Sequence, residues 1–211
     1  MNALLVLATH NQNKVRELRA ILREAMPDLD VEAALVSAAD LGVDEVRETG
    51  VTFAENALLK ARALAAGTGL PAIADDSGLA VDVLGGAPGI FSARWAGKHG
   101  DDVANLKLLL AQLADIPAEH RSARFVCAAA LATPDGRTHV EHGSFEGVLA
   151  DAPRGTNGFG YDPILSVNGD PRGRTAAELE PAEKNALSHR GKAFRALAPV
   201  VRQLLAEQPG R

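Results

Sequence analysis

The sequence predicts an α/β fold with a mixed β-sheet flanked by helices. Three observations carry this. Short apolar runs of strand length alternate with segments of helical periodicity. The first run feeds a helix through a polar loop, so its partner strand is reached by a crossover and lies parallel. Later, two strand-like runs are joined by Pro134-Asp135-Gly136, a turn too short for a crossover, which demands an antiparallel hairpin.

Each element follows in order. Ala3 to Ala8 is a continuous apolar run, as expected of a strand buried on both faces. Polar residues occupy Thr9 to Asn13, and Val15, Leu18, Ile21 and Leu22 then form one helical stripe. Thr52 and Glu55 have capping-box spacing, which starts a second helix whose buried side is Phe53, Ala57, Ala61 and Leu64. Pro71 to Ala74 reads as a buried strand ending at Asp75-Asp76, and Leu79, Val81 and Val83 alternate as in a separate half-buried strand. A Gly/Pro loop spans Gly85 to Gly89. A helix over Asp102 to Leu113 carries Val103, Leu106, Leu110 and Leu113 on its stripe. Arg124 to Ala132 and a run from Thr138 form the hairpin, and Gly155 to Pro163 is a glycine-rich loop. A last helical region runs from Pro181 to Leu205, with Pro199 placed to bend or interrupt it.

Composition limits the function classes. The chain has 211 residues, 46% hydrophobic and 23% charged, which suits one globular domain or one domain with two lobes. The net charge of −5 argues against a general nucleic-acid or membrane-surface binder, since those carry surplus Lys and Arg. Cys127 is the single cysteine, so no internal disulfide forms and a reducing compartment is expected. The N-terminal apolar run lacks a basic leader and no stretch reaches bilayer length, so a cytoplasmic location is expected. Aromatic residues are 4%, which leaves Ala, Leu and Val to build the core.

Several segments could carry chemistry. The loop Thr9-His10-Asn11-Gln12-Asn13-Lys14 sits between strand and helix, where unpaired backbone N–H groups and the helix dipole favour an anion. The same residues also suit a plain helix cap with a solvated Lys. No Walker A pattern occurs. Asp75-Asp76-Ser77-Gly78 places two carboxylates side by side, which repel unless a cation or hydrogen bonds offset them. Oxygen ligands of this kind suit Mg²⁺, and the four residues also suit a turn. Glu48 precedes the Thr52 cap, and Asn56 and Lys60 share one helix face at i, i+4, which would serve a metal and a phosphate or simply a surface helix start. Gly158-Phe159-Gly160-Tyr161-Asp162-Pro163 offers two aromatics between glycines, able to stack on a flat ring or to pack on the core. Lys184, Ser188, His189 and Arg190 bring donors together if the chain turns after Ser188. His139 and His142 point to opposite faces of a strand, which discounts a transition-metal site there. Cys127 reads as inert core.

The order and wording of these segments matter more than any one of them. Thr9-x-Asn11-x-x-Lys14, Glu48-Thr49-Gly50, Glu55-Asn56-Ala57 with Lys60, Ala74-Asp75-Asp76-Ser77-Gly78-Leu79, Gly85-Gly86-Ala87-Pro88-Gly89, Gly158-Phe159-Gly160-Tyr161-Asp162-Pro163 and Ser188-His189-Arg190-Gly191 fall in sequence. This string resembles the Ham1-like inosine triphosphate pyrophosphatase family, whose bacterial members are of the dITP/XTP pyrophosphatase type. It spans about Leu4 to Leu205.

The resemblance implies a two-lobed α/β domain over residues 1–211 with a long mixed sheet, a homodimer, and Mg²⁺-dependent hydrolysis of non-canonical purine nucleoside triphosphates to monophosphate and pyrophosphate. It implies that Thr9, His10, Asn11, Gln12, Asn13 and Lys14 hold the triphosphate, although His10 and Asn13 stand where glycine is frequent. It implies Asp76 as general base and Mg²⁺ ligand, Glu48 as the other metal carboxylate, Asp75 in support, and Lys60 on phosphate. Ser77 would touch substrate. Phe159, Gly160, Tyr161 and Asp162 would line the base pocket, and Lys184, His189 and Arg190 would read the base. Two other readings stand beside this one. One is a Maf-like diphosphatase for modified pyrimidine or methylated nucleotides, against which the Gly-Phe-Gly-Tyr-Asp-Pro and Ser-His-Arg segments speak. The other is a purine nucleotide-binding module without catalysis, against which the acidic residues Glu48, Asp75 and Asp76 speak.

Overall fold

The computed structural model describes residues 3–9 and 12–207, with the side chains of Gln12 and Asn13 outside that description. In chain order the elements are β1 (Leu5–Leu7), α1 (Gln12–Ala25), α2 (Val31–Ala34), β2 (Leu35–Ser37), α3 (Phe53–Thr68), β3 (Ala72–Val81), α4 (Asp102–Gln112), β4 (Ser122–Ala132), β5 (Thr138–Leu149), β6 (Leu165–Val167), α5 (Pro181–Leu187) and α6 (His189–Ala206), with short 3₁₀ turns between them. The strands hydrogen-bond in the order β2-β1-β3-β4-β5-β6. β1 is parallel to β2 and β3, and β5 is antiparallel to β6, so the sheet is mixed as expected. Among the described residues no helix is long and apolar enough to cross a membrane.

The chain divides into two compact units. One comprises Met1–Asp76, Cys127–Gly143 and Arg190–Arg211; the other comprises Ser77–Val126 and Ser144–His189. In the first unit, strand alternation sorts side chains into two cores. Leu5, Leu7, Ile73, Cys127, Ala129 and Leu131 join Leu18, Ile21 and Leu22 of α1 and Phe194, Leu197 and Val201 of α6. Val6, Ala72, Ala74, Ala128, Ala130 and Ala132 join Ala57, Ala61, Leu64 and Ala65 of α3. Alanine on both sides of that second core lets helix and sheet approach closely, which is how a chain poor in aromatics reaches native packing density. The second unit has one core, built from Leu79, Val81, Leu106, Leu109, Leu113, Phe125, Phe145, Tyr161 and Ile164 among others.

Four expectations change. β3 does not end at Asp75-Asp76 but runs on through Gly78 to Val81, and Leu79 and Val81 are fully buried while Val83 lies in the exposed turn that follows. Two core faces need no polar alternation, so the period was misleading there. On α4, Val103 is 64% exposed, and Leu109 takes the buried place beside Leu106 and Leu113. Phe53 is only partly buried. The C-terminal helical region is two helices, because Ser188 adopts an extended conformation (φ −66°, ψ 155°), whereas α6 continues through Pro199. The Thr52 cap forms as expected: its side chain accepts from Glu55 N–H at 3.1 Å, and Glu55 Oε2 accepts from Val51 N–H at 2.7 Å, one residue ahead of the usual capping-box donor.

Candidate active site

The continuity of β3 decides the first half of the site. Adjacent residues on a strand face opposite sides, so Asp75 shares the side of Ile73, towards α1 and α6, and Asp76 shares the side of Ala74, towards α3. Asp75 Oδ2 accepts from Arg190 Nε at 3.1 Å and lies 3.4 Å from Lys14 Nζ. Arg190 Nη1 donates to Glu17 Oε2 at 2.6 Å. The Asp75 and Arg190 side chains are 1% and 2% exposed. Burial alone would raise the Asp75 pKa, but Lys14, Arg190 and Lys60 outweigh it and hold the carboxyl well below the usual range.

Asp76 has different company. Its Oδ2 accepts from Asn56 Nδ2 at 3.0 Å, and its Oδ1 lies 3.7 Å from Lys60 Nζ, which donates to Glu48 Oε1 at 2.7 Å. Burial pushes the Asp76 pKa up; Lys60 opposes this and Glu48 reinforces it, and the net shift is upward. Burial opposes the charge on Lys60, but Asp76, Asp75 and Glu48 outweigh it, so Lys60 stays cationic. Two neighbouring carboxyls are thus driven in opposite directions, one saturated with cations and one kept basic.

Lys14, Glu48, Lys60, Asp75 and Asp76 are therefore brought together within one unit, but not as an acidic triad. Among the described residues no group of three or more His, Cys, Asp or Glu forms a metal-holding cluster. The side-by-side repulsion expected of Asp75 and Asp76 is relieved by alternation, each meeting its own cations. A pair of carboxylates still fits Mg²⁺, which takes one or two protein carboxylates and completes its shell with water and phosphate. Glu48 and Asp76, both against Lys60 Nζ, could supply that pair.

Two residues here take contacts that the sequence alone did not assign to them. Asn56 is fully buried, and its Oδ1 accepts from Gly50 N–H at 2.8 Å while its Nδ2 holds Asp76. It ties the Glu48-Thr49-Gly50 turn to the carboxylate. A side chain at Gly50 would put a Cβ 2.6 Å from Glu55 Cβ and 2.7 Å from Asn56 Oδ1, which explains the glycine. Glu17, three residues after Lys14 on α1, is the other; a carboxylate on that mostly basic helix was the available signal. Of the loop expected to hold the triphosphate, Thr9 is half-buried two residues beyond β1. His10 and Asn11 lie outside the described residues, as do the side chains of Gln12 and Asn13.

The second unit holds the remaining residues. Asp162 Oδ2 accepts from Lys184 Nζ at 2.6 Å and from Phe159 N–H at 2.8 Å, and Lys184 Nζ lies 5.4 Å from the Phe159 ring centroid. Gly160 N–H donates to Asp102 Oδ2 at 3.0 Å. Tyr161 packs in the core instead of offering a stacking face: it is 5% exposed and its hydroxyl donates to Ser92 O at 2.9 Å. Ser92 Oγ in turn accepts from Leu79 N–H at 2.9 Å, just beyond Ser77, which is half-buried on β3. His189 is buried and stacks on Phe125 at 5.1 Å between ring centroids. The break at Ser188 sends Lys184 to Asp162, while the Arg190 guanidinium is enclosed by Asp75 and Glu17.

The sequence matches the model of the Ham1 family over residues 5–200. The chain belongs to the Ham1 family. A dITP/XTP pyrophosphatase of Streptomyces coelicolor is 66% identical over 201 residues, covering 95% of this chain and 98% of the relative. Among solved structures, a HAM1 protein from Coxiella burnetii superposes with a TM-score of 0.83 at 44% identity, covering 94% of this chain and 98% of that one. A dITP/XTP pyrophosphatase from Mycobacterium abscessus matches at 52% identity and TM-score 0.74, over 92% and 98% of the two chains. Ham1 membership sets aside the Maf-like reading and agrees with the mixed α/β sheet described above.

Proposed function

We propose that this Ham1 protein is a nucleoside triphosphate diphosphatase that hydrolyses non-canonical purine nucleoside triphosphates (dITP, ITP and XTP) to the nucleoside monophosphate and pyrophosphate, with Mg²⁺ as cofactor. The observation that carries the reading is the opposite treatment of Asp75 and Asp76. A carboxyl with a raised pKa, beside a cationic Lys60 and a second carboxylate, is what activation of a water nucleophile requires. Water attacks the α-phosphorus, its proton passes to Asp76, and the bond from the α-phosphorus to the bridging oxygen breaks with pyrophosphate as leaving group. Glu48 and Asp76 would hold the Mg²⁺, which when bound would supply charge neutralisation on the phosphates. Lys60 and Lys14 add fixed positive charge for the departing pyrophosphate. Arg190, enclosed between two carboxylates, serves as counter-ion to Asp75 and not as a direct reader of the base.

Base recognition falls to Lys184, Phe159 and Asp162, and His189 and Ser77 take the substrate contacts that the family resemblance implies. Hypoxanthine and xanthine present an acceptor at O6 where adenine presents a donor, so a buried Lys184 ammonium favours the keto purines; leaving such a donor unpaired costs about 1–3 kcal/mol. Residues 1–211 then act as one catalytic domain, cytoplasmic and homodimeric as family resemblance implies, with a nucleotide as partner and neither nucleic acid nor membrane. The test is kcat/KM for dITP, ITP, XTP, GTP and ATP, scoring pyrophosphate against orthophosphate, with Mg²⁺ and with EDTA. Pyrophosphate from the keto purines only with Mg²⁺ is expected. Orthophosphate release, or binding without turnover, refutes the reading.

A further inference from the structure

We propose that Arg174 is a positioning residue for base recognition, acting through Glu183 to hold Lys184 against Asp162. The inference rests on the reading of Lys184 as a contact to the purine. Arg174 Nη1 donates to Glu183 Oε2 at 2.9 Å and Nη2 donates to Glu183 Oε1 at 2.6 Å, a two-pronged grip on the residue next to Lys184. The other edge of the guanidinium is held by Asp170, to which Nη2 donates at 2.7 Å and Nε at 3.2 Å. The Asp170 side chain is 6% exposed, that of Arg174 16% and that of Glu183 38%, so the guanidinium is anchored at its Asp170 edge and reaches out from there to Glu183.

The grip matters because α5 has seven residues, too few to hold an orientation by its own hydrogen bonds. The opposite wall is fastened to the same stretch of chain. Asn157 N–H donates to Ala177 O and Asn157 Nδ2 donates to Leu179 O, both at 3.0 Å. Gly155 takes a φ of +82° there, and a Cβ on it would stand 2.4 Å from the Ala177 carbonyl. Residues 174–179 thus fix both the loop that carries Phe159 and Asp162 and, through Arg174, the helix that carries Lys184. A lysine at 174 could meet one carboxylate but could not span two in a plane.

Steady-state kinetics with ITP on Arg174→Met, Glu183→Gln, Lys184→Met and the Arg174→Met/Lys184→Met double variant, well below each Tm, tests this. Arg174→Met and Glu183→Gln should each raise KM about tenfold with kcat within about twofold, as expected when one charge-assisted contact to substrate is misaligned. Arg174→Lys should restore part of the loss. In the Lys184→Met background, Arg174→Met should add less than about twofold, because nothing remains to be positioned. An equal effect in both backgrounds, or no effect while Lys184→Met alone raises KM, overturns the proposal. If Lys184→Met itself leaves KM unchanged, the base reading fails instead. Should Arg174→Met not fold, Glu183→Gln carries the same comparison.

Discussion

Replacing Asp75 with Asn separates a structural carboxylate from a catalytic one. In the native protein Asp75 and Arg190 form a pair whose side chains are 1% and 2% exposed. Removing one partner of such a pair leaves the other charge buried, which typically costs 3–5 kcal/mol. Arg190 keeps Glu17, and Lys14 is 20% exposed and can turn to water, so the lower end, about 3 kcal/mol, applies. For a chain of this length each kcal/mol moves Tm by roughly 2–4 °C, so Asp75→Asn should melt about 6–12 °C below wild type. The double variant Asp75→Asn/Arg190→Met should recover part of that loss, since an apolar side chain tolerates the site better than a guanidinium that has lost one of its two carboxylates. The pH dependence follows from the lowered Asp75 pKa. A carboxyl depressed in the folded state contributes stability present above its unfolded value and lost as pH falls towards the folded one. Wild-type Tm should therefore fall in acid, and the Asp75→Asn profile should be flatter there. Calorimetric melts of the four proteins of the cycle read all three effects. An Asp75→Asn variant within about 0.5 kcal/mol of wild type, or strictly additive variants, would show that the buried network does not hold this region together.

Asp76→Asn should lose about 10²–10⁴ in kcat, measured as pyrophosphate release, yet not lose Tm near neutral pH. A raised carboxyl pKa favours folding below the unfolded value and loses that contribution as pH rises through the folded one, so ionised Asp76 is costly at neutral pH. In the metal-free protein, read by carboxyl titration, the Asp76 pKa should lie above the ordinary Asp range, and added Mg²⁺ should lower it. Glu48→Gln should move the metal-free value to lower pH and Lys60→Met to higher pH, because Glu48 raises the Asp76 pKa and Lys60 lowers it. Gly50→Ala should raise the Mg²⁺ concentration needed for half-maximal rate and cost about 1–3 kcal/mol in melts, since the new methyl meets Glu55 and Asn56. Cys127 is fully buried and its thiol pKa is driven up by burial, so native protein should resist thiol reagents that label it after unfolding.

Local chemistry, on its own, specified the strand at β1, the stripe of α1, the Thr52 cap and the β4–β5 hairpin, because these depend on residues within a few positions of one another. Ordered motifs identified the family, and Asp76, Lys60 and Glu48, which those motifs named, lie against one another in the structure. What sequence could not yield was the physical basis for the different roles that the resemblance implies for Asp75 and Asp76. Their neighbours come from α1, α3 and α6, up to 115 residues away in the chain, and β3 had to be one strand for the two carboxyls to part. Likewise, Arg190 follows Lys184 by six residues yet serves a different unit, because a single extended residue at Ser188 turns the chain between them. A residue's type determines which charges and hydrogen bonds it can make; which partner it meets, and how far water is excluded, is set by packing, and so the pKa order of the two aspartates belongs to the tertiary structure.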